Sequence, residues 1–179
     1  MAAPIEIDVW QGEIAELEVD ALVVGANESL FMTAGPAASV KRAGGEEIER
    51  AAVDQGPVAP GGAVVTGGGR LAAPYVVHAV AVGHDRVADP ASLAAATRAV
   101  LAFAEPLQLR RIAIAPLGVE TGAFTAAESA GIIVPILREE GGAGPLESIV
   151  LATASLPKNA ASVLVIAPDT QACADGYSG

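Results

Sequence analysis

Ile5, Ile7 and Val9 alternate with polar neighbours, whereas Ala21 to Val24 is an unbroken apolar run. Alternation marks a strand with one solvated face, and a continuous run marks a strand covered on both. The first strand therefore belongs nearer a sheet edge than the second. Ala37 to Ala43 and Glu46 to Val53 have helical spacing, with Val40, Ala43, Ile48 and Ala52 as the inward stripe and Gly44 and Gly45 as the interruption. Strands follow over Ala63–Thr66 and Tyr75–Val82, joined by the turn-rich GGGRLAAP. Pro90 to Ala104 reads as a helix, opened by Asp89 as N-cap and Pro90 in its first turn. A strand at Arg111–Ala115 precedes a capping-box pattern, Thr125 with Glu128, which starts a helix running to Arg138 or Glu140. Ser148–Ala154 is a further strand, and Asn159–Ile166 fits either a short helix or a strand.

Strands alternating with helices predict an α/β protein, a three-layer α/β/α sandwich with a mixed, mostly parallel sheet. The 179 residues suit one domain, placed at 1–168, with 169–179 as a C-terminal tail.

Composition narrows the partners. Ten Lys plus Arg stand against twenty-one Asp plus Glu, a net charge of -11, which repels polynucleotide phosphates. The expectation is therefore no nucleic acid partner. No run of about 18 apolar residues occurs and the start, MAAPIEIDVW, lacks the pattern of a leader, so no membrane contact and a cytoplasmic location are expected. The lone Cys173 excludes a disulfide framework and fits a reducing compartment. His78 lies in an apolar strand and reads as a core histidine; His84 has no Cys or second His at metal spacing. Neither a metal nor a cofactor is expected.

Two small-residue loops carry the candidate chemistry. GANESLFMTAGP follows the run Ala21–Val24 and opens a helix, and GVETGAF follows Arg111–Ala115. Loops at one rim of a parallel sheet converge on a common cleft, and backbone N–H groups at a helix start hold anions without Lys or Arg. Gly67-Gly68-Gly69-Arg70 lacks phosphate-loop spacing and precedes a strand, so it reads as a hairpin turn. The run Glu46–Arg50 reads as a solvated helical face.

From Trp10 to about Leu151 the chain resembles a macrodomain, the ADP-ribose-binding module. The resemblance rests on Gly12-Glu13-Ile14, Val24-Gly25-Ala26-Asn27, Thr33-Ala34-Gly35, Val76-Val77-His78 and Thr121-Gly122-Ala123-Phe124, in the family's order and spacing. It implies binding of ADP-ribose or an ADP-ribosylated protein. Glu13 takes the place of the adenine-recognising Asp, with the Ile14 backbone beside it. The diphosphate falls between Thr33, Ala34, Gly35 and the stretch Thr121, Gly122, Ala123, Phe124. Asn27, next to Ala26, meets the distal ribose and is the one catalytic candidate; Phe124 packs on the same ribose.

The chain also departs from the family pattern. Gly25 replaces an Asn, Thr33-Ala34 replace two glycines, and Pro36 has no N–H to offer a phosphate. Ala37 stands where the family's main hydrolase class carries an Asp, and Glu120 precedes Thr121 in a stretch one residue longer than usual. Three functions stay open on these residues: an ADP-ribose binder, a weak hydrolase of ADP-ribosyl esters or O-acetyl-ADP-ribose, and a degenerate module for another nucleotide-like metabolite. A carboxylate of Glu120 facing a diphosphate would be repulsive, and the extra residue leaves its direction open.

Overall fold

The computed structural model describes residues 4–154 and a two-residue strand at 171–172. The segment 159–166 and Cys173 lie outside the described residues. Strands β1 (Glu6–Gln11), β2 (Ala21–Asn27), β3 (Ala63–Gly67), β4 (Tyr75–Val82), β5 (Arg111–Ile114), β6 (Ser148–Thr153) and β7 (Gln171–Ala172) form one sheet. Their spatial order is β3-β4-β2-β5-β6-β1-β7. All pairings are parallel except β3 with β4. Residues 171–172, within the stretch read as a tail, thus pair with β1.

Sequence pattern accounts for strand position. Ala21, Leu22, Val23 and Val24 are fully buried in β2, which lies between β4 and β5. The alternating β1 sits next to the sheet edge. Helices α1 (Gly35–Gly44) and α2 (Glu46–Val53) cover one face, where Leu22, Val24, Val40 and Ile48 share a core. Helices α3 (Pro90–Leu101) and α4 (Ala126–Gly141) cover the other, where Val23, Leu93, Ile114 and Ile133 meet. The expected three layers are present.

Helix ends follow local chemistry. The Asp89 side chain accepts from the Ser92 N–H at 2.7 Å, and both halves of the Thr125–Glu128 capping box form. Two expectations are corrected. The third helix stops at Leu101 rather than Ala104, and its exit tightens into short-range bonds such as Ala104 N–H to Leu101 C=O. Pro106 explains this, since the residue before a proline disfavours helical backbone. Ala43 is exposed, and the inward stripe of α1 is Ala37, Val40 and Gly44. A glycine is required there: a Cβ on Gly44 would stand 2.3 Å from Ile48 Cδ1 and 3.1 Å from the Gly68 carbonyl. The helix approaches its neighbours too closely for any side chain.

Candidate functional site

Strands β2, β4 and β5 run parallel and end at the same rim, so the loops that follow them meet. Between them lies an open cavity of about 440 Å³. Its walls are Gly25, Ala26, Asn27, Ser29, Phe31, Thr33, Ala34 and Ala37 from β2 to α1, Val82, Gly83, His84 and Arg86 after β4, and Glu120 and Thr121 after β5.

Asn27 closes β2 at a register shift between Ala26 and Asn27. Its Oδ1 accepts from the Ser29 N–H at 3.0 Å and its Nδ2 donates to the Phe31 carbonyl at 3.4 Å. The carboxamide therefore braces its own loop, the usual work of Asn at a turn, while facing the cavity. Further along, the Met32 N–H donates to Glu49 Oε2 at 2.6 Å, and Lys41 Nζ reaches the same oxygen at 3.0 Å. Burial alone would raise the Glu49 pKa; the Met32 N–H and the Lys41 ammonium outweigh it and hold the carboxyl below its ordinary value. A residue read as part of a solvated face thus anchors the cavity loop to α2.

The second loop is a 3-10 turn, Val119–Thr121, bracketed by Gly118 and Gly122, both in the left-handed region at φ 77°. The Thr121 hydroxyl donates to the Gly118 carbonyl at 2.9 Å and accepts from the Ala123 N–H at 3.2 Å. This turn sends Glu120 inward. A Cβ on Gly25 would stand 3.4 Å from Glu120 Oε1, and one on Gly35 would stand 2.9 Å from Glu120 Cγ. The side chain is exposed to solvent in the open cavity, with protein crowded around its base. Burial pushes its pKa up, offset only in part by its own backbone N–H.

Helix α1 starts at the cavity wall, with Ala34 as N-cap and no side chain capping its first turn. Its first N–H groups give that wall partial positive charge. The rim opposite carries His84, whose Nε2 lies 2.8 Å from Glu28 Oε2, joining the loops after β2 and β4. Phe31 is 52% exposed at the mouth.

A family model described as Macro domain matches residues 23–133, which includes most of β2, all of α1, the hairpin β3-β4, β5 and both cavity loops. The chain belongs to the Macro domain family. It is 34% identical over 148 residues to an uncharacterised protein of Mycobacterium tuberculosis, covering 83% of this chain and 41% of that one. The chain thus spans less than half of that relative's length. The Trypanosoma brucei macrodomain in complex with ADP-ribose superposes with a TM-score of 0.75 at 24% identity, over 84% of this chain and 64% of that one. The Oceanobacillus iheyensis macrodomain with MES bound gives 0.79 at 17% identity, over 93% and 94%. At such identities the two structures establish the shared fold, and the fold expected from the sequence is the fold found.

This Macro domain brings Ala26, Asn27, Thr33, Ala34 and Thr121 to one cavity, and Gly35 stands against Glu120 beside them. Gly122 and Ala123 lie at the exposed tip of the turn. Phe124 is half-buried and packs on the α3-α4 core, one ring atom 3.1 Å from a Cβ on Gly118. Glu13 and Ile14 are apart from the cavity walls: Ile14 is buried, and the Glu13 carboxylate accepts a short hydrogen bond from Ser39 Oγ of α1. The hairpin turn at Gly67–Arg70 lies at the opposite end of β4 from the cavity. His78, expected as a satisfied core histidine, is buried and paired through Nε2 with Thr66, while its Nδ1 has no partner among the described residues.

Sequence reasoning left out Phe31, His84 and Arg86 as cavity residues. The signal for the last two was the strand order. Once β4 is known to run parallel beside β2, its following loop must reach the same rim.

Proposed function

We propose that this Macro domain binds ADP-ribose or a close derivative in the cavity at the ends of β2, β4 and β5. The observation that carries this reading is the convergence of Asn27, Thr33, Ala34 and Thr121 on one 440 Å³ space beside the uncapped start of α1. Backbone N–H groups at such a start suit a diphosphate in a protein otherwise short of cations. The distal ribose falls to Asn27, whose carboxamide is pre-oriented by Ser29 and Phe31. The adenine falls toward Glu13 and Ile14 beyond the cavity. The complex of the Trypanosoma brucei macrodomain with ADP-ribose supports a ligand of this class.

Binding is favoured over turnover because Ala37, in the cavity wall, offers no acid or base. Isothermal titration with ADP-ribose and with AMP tests the reading. ADP-ribose is expected to bind and AMP to bind more weakly, with Asn27→Ala weakening ADP-ribose alone. Absence of any heat with ADP-ribose at millimolar concentration would sink it. Hydrolysis of an ADP-ribosyl ester, at a rate that Asn27→Ala abolishes, would replace binding with catalysis as the function.

A further inference from the structure

Among the described residues, the cavity wall carries one anionic side chain, Glu120. Glu120 reaches inward from the 3-10 turn after β5 and lies across the two glycines at the ends of the first loop, Gly25 in β2 and Gly35 at the start of α1. A Cβ on Gly25 would only touch the carboxylate, at 3.4 Å, so Gly35 is the position whose missing Cβ admits the glutamate. An alanine at Gly35 would place its methyl 2.9 Å from Glu120 Cγ. Gly35 is also the first residue of α1, so the carboxylate occupies space beside the uncapped helix start.

We propose that Glu120 is the specificity-determining residue of this cavity: its carboxylate competes for the anion position at the start of α1, and a phosphate-bearing ligand is accepted when Glu120 takes up a proton. The inference rests on the ADP-ribose reading and sharpens it. An ionised carboxylate and a phosphate at one position repel, whereas a protonated carboxyl is a hydrogen-bond donor to phosphate oxygen. Ligand binding is thereby coupled to uptake of one proton.

The groups facing Glu120 favour this coupling. The loop after β2 presents Asn27, Ser29 and Thr33; α1 presents Ala37 and backbone N–H groups. The loop after β4 presents His84 and Arg86, and the imidazole of His84 is directed to Glu28. No ion pair among the described residues involves Glu120. No such ion pair holds the carboxylate, and the protein crowded around it shifts its pKa upward, which lowers the cost of protonation on binding.

Calorimetric titration of ADP-ribose into the wild type and Glu120→Gln, from mildly acidic to mildly alkaline pH and in buffers of different ionisation enthalpy, tests the coupling. The wild type should bind more tightly as pH falls, with proton uptake on binding. Like charges brought together repel, so Glu120→Gln should bind about tenfold or more tighter at neutral pH. That variant should also lose most of the proton uptake. Glu120→Ala, which opens the space as well as removing the charge, should follow Glu120→Gln. Equal affinity and equal proton uptake in all three proteins overturn the inference and leave the ADP-ribose reading standing. Absence of ADP-ribose binding in all three overturns both.

Discussion

Gly35 and Glu120 are matched to each other. A Cβ on Gly35 would stand 2.9 Å from Glu120 Cγ, and the glycine holds φ at +58°, in the left-handed region. Two constraints of different origin, one steric and one of backbone, therefore fall on a single position.

Gly35→Ala is expected to destabilise the protein by about 1 to 2 kcal/mol through left-handed backbone alone, with a further cost from the collision. In Gly35→Ala/Glu120→Ala the collision is relieved and the backbone cost remains. Urea denaturation of the four proteins measures this. Strict additivity of the two single effects would mean that the side chains do not meet.

Glu49 links α2 to the cavity loop through the Met32 N–H. Glu49→Ala should cost about 1 to 3 kcal/mol, the scale of a lost charged hydrogen bond. It should also weaken ADP-ribose binding, because Met32 immediately precedes Thr33. Glu49→Gln keeps an acceptor for Met32 and should lose less. Because the folded-state pKa lies below the ordinary value of 4.5, this stabilisation is present above that value and lost as pH falls through the depressed one. Denaturation midpoints for the wild type and Glu49→Gln on the acid side give the check, and parallel curves would refute the assignment.

His78 gives a second acid window. Its Nε2 lies 3.0 Å from Thr66 Oγ1 while Nδ1 has no partner among the described residues, and burial lowers its pKa from 6.5 to about 4. The neutral ring is favoured in the folded state, because a buried imidazolium would present an unmatched N–H. The unfolded chain takes up a proton near 6.5 and the folded protein only near 4, so stability falls between those values as pH drops. The loss amounts to about 3 kcal/mol in total. Ring chemical shifts followed by NMR would show it, and titration of His78 near its ordinary value would contradict it.

The secondary structure was legible because each element carries its own local chemistry. The capping pairs Asp89 with Ser92 and Thr125 with Glu128 involve neighbours in sequence, and both form. The unbroken run Ala21–Val24 could be stable only with both faces covered, which places β2 inside the sheet. The phase of α1 was less legible, since Ala43 and Gly44 are adjacent and both small. The closeness of Ile48 and Gly68 decides between them, and that distance belongs to the packed structure.

The candidate site divides in the same way. Asn27, Thr33, Ala34 and Thr121 were readable as loop residues following strands. His84 and Arg86 were not, because nothing near them in sequence states that β4 lies parallel beside β2. Glu13 and Ser39 are far apart in sequence, so the bond between them had no local signal.

By itself the sequence determined the alternation of strands and helices, the three layers and the family, all of which rest on short-range periodicity, caps and motif order. Tertiary structure alone decided where Glu120 points. Its direction depends on two left-handed glycines, Gly118 and Gly122, turning the loop, and on Gly35 leaving the space that receives it. Gly35 belongs to a segment far from that loop in sequence, and only the folded sheet brings it against the Glu120 side chain.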